Sequence, residues 1–268
     1  MVKTKKLIPI EIDDLVRVGR DNDGGYILPK SIINICDGLL SYGINKDWSF
    51  EKDFLKENPK VIIHCYDHTL NLFSVLFFSL KSIFLTIIHA LLIDKIRLFK
   101  SFNSIYTIID YFIFFKKNVT HFKNRIWDSN IENSKTVEDS LSKIISSNAK
   151  NIFVKMDIET AEYKVVESLF KIKETIIGMA IEFHKLDKYS KEFNRIIELA
   201  LNNFYIVHIH GNNYAKTFMN TNFPTTVEIT FIRKKFIKFP VTSSKKNYPI
   251  NGLDQPNRAS RPDYQLNF

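Results

Sequence analysis

The sequence predicts a doubly wound α/β fold with a largely parallel sheet. Short apolar runs alternate with segments that carry their apolar residues on one helical face, which is typical of such a fold. Several of the apolar runs end in an acidic residue or a histidine. The 268 residues, 45% of them hydrophobic and 25% charged, fit one globular domain spanning residues 1–268.

The first half of the pattern indicates one βαβ unit. Residues 39–44 and 61–66 are apolar runs of strand length, and residues 49–58 between them form an amphipathic helix. Gly43 closes the first strand, and Asp67 follows the second. We expect both residues at the same edge of the sheet.

The second half repeats the alternation of strands and helices. The predicted strands are residues 151–158, 176–183, 205–210 and 227–233, the last one antiparallel, and the predicted helices are residues 161–172 and 191–202. Residues 118–135 are polar and indicate a loop. Residues 239–268 are rich in proline and asparagine and predict an irregular tail packed on the domain.

An apolar stretch from residue 70 to residue 100 interrupts the pattern. Its first 24 residues hold a single lysine, Lys81, and are long enough to consider a membrane span of about 20 residues. However, Lys81 would be costly at a bilayer centre, and a span would separate Asp67 from the rest of its sheet. We expect a helical insertion over residues 70–117, buried against the domain or a second subunit. A helix on the membrane surface is the alternative.

Composition restricts the partners. The net charge of +9 favours an anionic partner such as a nucleotide-sugar, a phosphoglycan or a membrane surface. Nucleic acid is not expected, because no RRM, helix-turn-helix or zinc-finger pattern occurs. Cys36 and Cys65 lie in apolar runs and indicate buried thiols in a reducing compartment. We expect a cytoplasmic location, with the inner face of the membrane as an alternative.

Polar or ionisable residues gather at the predicted strand ends, where ligands bind in open α/β sheets. The residues concerned are Asp67, Asp157, Glu159, Glu182, His184, His208, His210, Asn212 and Asn213, and Gly43 follows the first strand at the same edge. Carboxylates near imidazoles suit acid/base catalysis or a divalent metal ion. The alternative is that single histidines are hydrogen-bonded structural residues.

Gly43 and Asp67 are 24 residues apart, a spacing that suits a nucleoside-containing cofactor. The glycine lets a ligand approach the backbone, and the acid can accept hydrogen bonds from ribose hydroxyls. Only one glycine stands in the loop SYGINKDW, so no glycine-rich cradle for a pyrophosphate is present. This disfavours NAD relative to S-adenosylmethionine. Asp67 as a simple helix cap is the alternative.

The motif KMDIETAEYKVVESL resembles the signature of FkbM-type S-adenosylmethionine-dependent methyltransferases. Further blocks resemble a bacterial subgroup of that family and run in order along the chain: GRDNDGGYIL, LLSYGINKDWSFEKDF, CYDHT, IEFHKLD, VHIHGNNY, VEITFIR, LDQPN and PDYQL. The apolar insertion carries no such motif. Thr160 stands where the signature has glycine, and we expect it to narrow or reshape the pocket there.

This resemblance implies a Rossmann-like fold of the class I methyltransferase type and O-methyl transfer from S-adenosylmethionine. Many family members act on sugars or polyketides, and the subgroup is often found with surface-polysaccharide genes, such as those for capsule or lipopolysaccharide. The cofactor residues that the resemblance implies are Gly24, Gly25, Tyr26, Ser41, Tyr42, Gly43 and Asp67. Asp157 would orient the acceptor or bind a metal ion.

The leading hypothesis is methylation of a hydroxyl of a saccharide, nucleotide-sugar or sugar-phosphate. The expected catalytic residues are Asp157, His184 and His210. A divalent ion such as Mg²⁺ or Mn²⁺ would be held by Asp157, Glu182, His184 and His210, and the acceptor by Glu159, Glu182, His208, Asn212 and Asn213. The alternatives are a non-catalytic membrane-associated scaffold on the same fold and an NAD-dependent dehydrogenase. Peripheral membrane association and a homodimer through the insertion are further expectations.

Overall fold

Eleven strands and seven α-helices make up the part of the chain that the structure describes. This computed structural model describes residues 2–93, 106–171, 174–218, 221–238 and 240–268. The strands are β1 (Leu15–Val18), β2 (Tyr26–Pro29), β3 (Gly38–Tyr42), β4 (Ile62–Tyr66), β5 (Val119–Phe122), β6 (Arg125–Ile126), β7 (Ser134–Lys135), β8 (Ile152–Met156), β9 (Ile176–Phe183), β10 (Phe204–Gly211) and β11 (Val227–Arg233). The helices are α1 (Lys30–Ile35), α2 (Ser49–Glu57), α3 (Leu72–Leu91), α4 (Thr107–Phe114), α5 (Val137–Ile145), α6 (Glu162–Lys171) and α7 (Leu186–Asn203).

A seven-stranded sheet in the order β5-β4-β3-β8-β9-β11-β10 forms the centre of the domain. Strands β5, β4, β3, β8 and β9 are parallel, whereas β11 runs antiparallel to both β9 and β10. The predicted doubly wound, mostly parallel sheet and its antiparallel strand are confirmed. The chain builds the sheet outward from β3 to β5 and then returns to β8, so the order reverses between β3 and β8. Ligands bind at such a switch point in open α/β sheets.

Helices cover both faces of the sheet. Strands β3, β8 and β9 are buried at every residue, as strands with helices on both sides must be. On one face, Phe193 of α7 packs edge-on against Phe183 of β9, with ring centroids 5.1 Å apart. On the other face, Phe54 of α2 packs against Phe153 of β8 at 6.0 Å. Both faces of the sheet are therefore packed against helices.

Two of the predicted segments differ from the structure. The segment 118–135, expected to be a loop, contains the short strands β5, β6 and β7, and β5 pairs in parallel with β4 at the edge of the sheet. The strand is only four residues long, too short for periodicity to reveal, and its Phe122 stacks on Tyr66 at 4.7 Å. Helix α7 begins at Leu186 rather than residue 191, and non-helical Tyr189 separates its first turn from the periodic part that the sequence shows.

The predicted insertion contains helices α3 and α4. Residues 94–105 of that segment lie outside the described residues, so the complete insertion stays a prediction. Helix α4 is fixed to the domain through Asp110, which accepts a hydrogen bond from Trp48 Nε1 at 2.9 Å and forms an ion pair with Lys52. None of the described helices combines the length and the hydropathy that crossing a bilayer requires.

The described part of the C-terminal tail, residues 240–268, is irregular and is fastened to β10 and the residues that follow it. His208 Nε2 lies 3.0 Å from Asp254 Oδ2, and His210 Nε2 lies 2.8 Å from Asp263 Oδ2. The Asn213 side-chain amide donates to three tail carbonyls, those of Arg258, Arg261 and Pro262. These three residues, together with their partners in the tail, are called the tail clamp below.

Removal of one carboxylate from the tail clamp should destabilise the protein in a pH-dependent way. Burial alone would lower the pKa of His210, but hydrogen bonds to Asp263 and Glu228 raise it to about 10, above the ordinary 6.5. The stabilisation is therefore full below pH 6.5 and is lost as the pH rises through about 10. Asp263→Asn should lower the free energy of unfolding by about 1.5–3 kcal/mol at pH 7, because a charged hydrogen bond is lost.

Urea unfolding at several pH values between 6 and 10 measures this effect. Glu192→Gln, which changes an exposed carboxylate on α7, serves as the control and should leave the profile unchanged. Parallel stability profiles for Asp263→Asn and the unchanged protein would contradict the assignment.

Candidate functional site

A cavity of about 450 Å³ opens at the carboxyl ends of β3, β4 and β8. Its size lies within the range of about 300–1,000 Å³ that small-molecule sites occupy. The lining residues come from the loops after these three strands and from β6, and they are Gly43, Asn45, Tyr66, Asp67, His68, Thr69, Arg125, Ile126, Trp127, Asp157, Ile158, Glu159 and Ala161. This space is called the first cavity.

Gly43 lets the loops after β3 and β8 meet at the floor of the first cavity. Its φ is +76°, and a Cβ at this position would lie 1.7 Å from the carbonyl oxygen of Asp157. No other residue type fits here without displacing the backbone. The buried Lys155 ammonium closes the same junction by donating to the Gly43 carbonyl at 2.8 Å. The first cavity thus has a floor of fixed backbone.

Asp67 presents an ionised carboxylate to the first cavity. Its Oδ1 accepts hydrogen bonds from Thr69 N, Thr69 Oγ1 and Leu70 N, whereas its Oδ2 accepts one, from Asn45 N at 2.7 Å. Burial would raise the pKa of Asp67, but these hydrogen bonds together hold it below its usual value. Oδ2 therefore retains the capacity to accept a hydrogen bond from a ligand.

The walls of the first cavity combine aromatic rings with cationic side chains. Trp127 lies beneath Lys164 Nζ and the Arg125 guanidinium, at 4.1 Å and 4.7 Å from its ring centre. The Nε of Arg125 is buried, and no acceptor in the described part of the chain reaches it. A buried donor without an acceptor is costly, so this atom is suited to bind a ligand.

A second cavity, of about 400 Å³, adjoins the first. The residues that line it lie at the carboxyl ends of β8, β9 and β10, in the β1–β2 turn and directly before β11. They are Asp23, Asp157, Glu159, Glu182, His184, Asn212, Tyr214, Ala215 and Thr226. Asp157 and Glu159 line both cavities. Two bound molecules would therefore meet at these two carboxylates.

His184 is a cation among carboxylates in the second cavity. Its Nδ1 lies 3.2 Å from Glu162, and its Nε2 lies 3.6 Å from Asp157 and 3.8 Å from Glu182. Burial alone would lower the pKa of His184, but the hydrogen bond to Glu162 and the charges of Glu182, Glu162 and Asp157 raise it to about 9. Burial and the charge of Asp157 raise the pKa of Glu182 well above its usual value. This set of groups can bind a cation or exchange a proton.

Asp157, Glu182 and His184 also fit a divalent metal ion. They can each offer one ligand atom, and these atoms lie within 4.8 Å of one another. Glu162 supports His184 as outer carboxylates support metal-binding histidines, since it contacts both the ring Nδ1 and the main-chain N–H. Two carboxylates and one imidazole suit Mg²⁺ or Mn²⁺.

The structure brings together seven of the site residues predicted from the sequence. They line one or both of the two cavities and are Gly43, Asp67, Asp157, Glu159, Glu182, His184 and Asn212. Asn212 also donates a hydrogen bond from Nδ2 to Glu182 Oε1 at 2.7 Å, which fixes the orientation of that carboxylate.

The other predicted site residues lie elsewhere. His208, His210 and Asn213 hold the tail, so the structure places them in a supporting role and not among the residues that line the cavities. Ser41 donates to the buried Glu51, and the Tyr42 hydroxyl lies 2.6 Å from Ser140 Oγ, so both side chains point into the layers beside the sheet.

The predicted glycine pair lies in the β1–β2 turn and is closely packed, and neither glycine is among the described residues that line the two cavities. A Cβ on Gly24 would lie 2.5 Å from Asp47 Oδ2, and one on Gly25 would lie 2.5 Å from Arg17. Tyr26 is buried, with its ring 5.6 Å from that of Phe50. Of this turn, Asp23 lines the second cavity.

Sequence reasoning missed residues in both cavities. The FkbM resemblance places the turn Asp23-Gly24-Gly25-Tyr26 near the methionine end of the cofactor, but it gave no role to the Asp23 side chain, which lines the second cavity. Arg125 and Trp127 lie in the segment interpreted as a loop, and Tyr214 follows β10. An arginine beside a tryptophan in a polar segment could have indicated a binding wall.

Thr160 adopts a backbone conformation that favours glycine. Its φ is +82°, and that of the preceding Glu159 is +51°. A β-branched residue is strained in this region. Thr160 is absent from the described residues that line the two cavities, so its departure from the FkbM signature acts on the backbone.

No protein-family model and no curated protein matches the sequence. Among solved structures, the chain is similar to that of a fibrillarin/Nop5p complex, with 9% identity and a TM-score of 0.37 over 74% of this chain and 72% of the other. It is also similar to precorrin-6y C5,15-methyltransferase from Geobacter metallireducens, with 10% identity and a TM-score of 0.38 over 76% and 86%. A dimethyladenosine transferase from Plasmodium falciparum gives 9% identity and a TM-score of 0.34 over 77% and 60%.

These likenesses concern the fold, and at such low values no residue role is carried over from them. The resemblance of the sequence to the FkbM-type family stays a prediction. The function must therefore be inferred from the two cavities themselves.

Replacing Thr160 with glycine should stabilise the protein. Glycine removes strain of about 1–3 kcal/mol and adds about 0.5–1 kcal/mol of chain entropy to the unfolded state. We expect a net gain of about 1 kcal/mol in the free energy of unfolding, measured in urea. Thr160→Ala keeps the Cβ and should gain less than half as much. A loss of stability in Thr160→Gly would show that the threonine side chain makes compensating contacts.

Proposed function

We propose that this protein transfers a methyl group from S-adenosylmethionine to a hydroxyl of a saccharide. The observation that carries the proposal is the junction of two cavities at Asp157 and Glu159. A group-transfer reaction between two bound molecules needs such an arrangement, with the donor on one side and the acceptor on the other.

The first cavity fits the donor. Asp67 Oδ2 is free to accept from a ribose hydroxyl, and Trp127 and Tyr66 offer aromatic walls for an adenine. The carboxylates at the junction would lie near the sulfonium and favour its positive charge. The Gly43 loop offers no glycine-rich cradle, which agrees with a cofactor that has no pyrophosphate.

The second cavity favours an acceptor region that is rich in hydroxyls and carries no negative charge. Asp23, Asp157, Glu159 and Glu182 line it, together with the Asn212 amide. Carboxylates accept hydrogen bonds from sugar hydroxyls but repel phosphate. If the acceptor is a nucleotide-sugar or sugar-phosphate, its phosphate lies outside this cavity.

The geometry supports a direct displacement. When bound, S-adenosylmethionine supplies an electrophilic methyl carbon on a positively charged sulfur. The acceptor oxygen forms a bond to that carbon while the carbon–sulfur bond breaks, and the electron pair stays on sulfur as S-adenosylhomocysteine. Asp157 orients the acceptor hydroxyl. The hydroxyl proton passes to Asp157 or to a neutral His184 side chain. His210 is engaged in the tail clamp and takes no part in this proposal.

A divalent ion would be a second means of activating the acceptor hydroxyl for the same methyl transfer. Asp157, Glu182 and His184 would hold it, and it would lower the pKa of the acceptor hydroxyl. Without an ion, the imidazolium of His184 supplies the positive charge among the carboxylates. A chelator distinguishes the two arrangements.

The biological setting follows from the FkbM resemblance alone. Under that resemblance, the product belongs to a surface polysaccharide such as capsule or lipopolysaccharide, and the reaction takes place in the cytoplasm.

Thermal shift with S-adenosylhomocysteine separates the proposal from its alternatives. Saturating ligand at 100 times its Kd stabilises by about 2.7 kcal/mol. A shift with NAD instead would favour the dehydrogenase, and no shift with either would favour the scaffold.

Asp67→Ala should weaken the binding of S-adenosylhomocysteine about 10- to 100-fold. The variant loses a charged hydrogen bond to the ribose, worth about 1.5–3 kcal/mol. Calorimetry gives the affinity, and an analogue without both ribose hydroxyls is the control. The analogue should bind the unchanged protein and the variant almost equally. An equal loss for both ligands would mean that Asp67 acts only on the loop fold.

Asp157→Asn and His184→Ala should each lower the turnover number at least about 100-fold and leave cofactor affinity near its original value. The reason is that a proton acceptor or a metal ligand at the acceptor hydroxyl acts on the chemical step. The substitution Asp13→Asn, at an exposed carboxylate, is the matched control.

The same assays separate the two mechanisms. If His184 accepts the proton, the rate rises with pH through about 9, the pKa of His184, and a chelator has no effect. If an ion is bound, the chelator abolishes activity, and Mg²⁺ or Mn²⁺ restores the unchanged protein but not the variants. Full activity in both variants would exclude this site.

A further inference from the structure

Helix α3 turns its apolar side outward. The exposed ridge, Phe73, Phe77, Leu80, Phe84, Ile87 and Leu91, follows helical spacing along the whole helix. Among the side chains of α3 whose burial the structure describes, the two buried ones are small and polar: Ser79 and Ser82 are 4% and 3% exposed. A helix on the surface of a domain normally has the reverse arrangement. The ridge is therefore built to meet another apolar surface.

Helix α4 extends the same kind of surface. Its Ile109, Phe112 and Ile113 are each more than half exposed, and α3 and α4 contact each other. Asp110, the acidic residue of α4, is paired with Lys52, and the sequence of α3 holds no acidic residue. The joined surface of α3 and α4, called the apolar ridge below, thus lacks an unpaired negative charge among its described residues.

A cationic cavity lies at the end of the apolar ridge. Ile113 and Phe114 form part of its wall, its volume is about 330 Å³, and Lys116 and Lys117 lie at its rim. Within the described residues, neither ammonium forms an ion pair, and both lysines are exposed. Apolar walls under unpaired ammonium groups match an acyl chain under a phosphate headgroup.

We propose that the apolar ridge docks on the surface of a bilayer that contains anionic phospholipids, with Lys116 and Lys117 at the headgroup phosphates. Exposed apolar residues beside lysines are the features by which interfacial helices bind anionic membranes. The net charge of +9 adds a long-range attraction to such a surface.

A second copy of the chain fits the same surface less well. In a two-fold dimer, the same patch lies on both sides of the interface, so the Lys116–Lys117 pairs of the two subunits would share one surface. No unpaired carboxylate of the ridge compensates them in the described part of the chain. The membrane offers the opposite charge, which the dimer does not.

Sedimentation with vesicles tests the proposal and does not depend on methyl transfer. Vesicles of phosphatidylcholine with phosphatidylglycerol should pellet the protein, and vesicles of phosphatidylcholine alone should pellet it much less. Lys116→Gln with Lys117→Gln should weaken binding roughly 25-fold, since each lysine near an anionic surface contributes about a fivefold factor. Phe77→Ser with Phe84→Ser should abolish binding.

The matched control is Lys188→Gln with Lys191→Gln, which removes two exposed lysines from α7 on the opposite face of the sheet. This control should bind vesicles nearly as well as the unchanged protein. Equal loss in both lysine pairs would overturn the assignment of the headgroup site. Failure to bind any vesicle, together with a dimer that Phe77→Ser with Phe84→Ser dissociates, would assign the ridge to a second copy.

Discussion

The rest of the site depends on the hydrogen bond that the buried Lys155 ammonium donates to the backbone. Lys155 lies at the end of β8, is 6% exposed, and donates to the carbonyl of Gly43 at the end of β3. Burial alone would lower the pKa of Lys155, but the charges of Asp157 and Glu51 raise it, so the group stays charged. A charge in this position ties the two strands at the switch point and offsets part of the negative charge that the cavities contain.

The acidic groups of the second cavity are tolerable only because cations oppose them. His184 and Lys155 supply positive charge, and Glu162 fixes His184 through both its ring and its main chain. Glu162 itself is fully buried, and its second oxygen has no hydrogen-bond partner among the described residues. Carboxylates thus outnumber cations around the second cavity, and the shifted pKa values of Glu182 and His184 are of the kind that cluster at functional sites.

The sequence predicted the sheet well, because buried parallel strands produce continuous apolar runs that need no tertiary information to recognise. It also placed Asp157, Glu182 and His184 correctly at one edge, since strand ends on one side of a parallel sheet must converge. The sequence could not distinguish the histidine that lines a cavity from the histidine that holds the tail. His184 and His210 stand in similar strand-end contexts, and the difference is made by partners far along the chain: Glu162 for one, Asp263 for the other.

The short edge strand β5 and the walls of the first cavity were hidden for a related reason. The four residues of β5 are too few to show the alternation of a strand. Trp127 contacts two cations, Arg125 and Lys164, that lie over its ring, and the contact with Lys164 is not evident from sequence spacing. Thr160 is different, because its φ of +82° follows from the path of the chain after β8 and not from its own preference. The sequence alone signalled it only as an unexpected residue in a motif.

The turn from Asp67 to Leu70 connects the end of β4 to the first residues of α3. One carboxylate therefore organises both a wall of the first cavity and the start of the helix that carries the apolar ridge. Any ligand that orders this turn also orders the first residues of α3. By thermodynamic reciprocity, a surface that immobilises α3 would then alter the affinity for that ligand by the same factor. Ligand binding in the first cavity and binding of α3 to a surface would then both depend on the same conformational equilibrium of this turn.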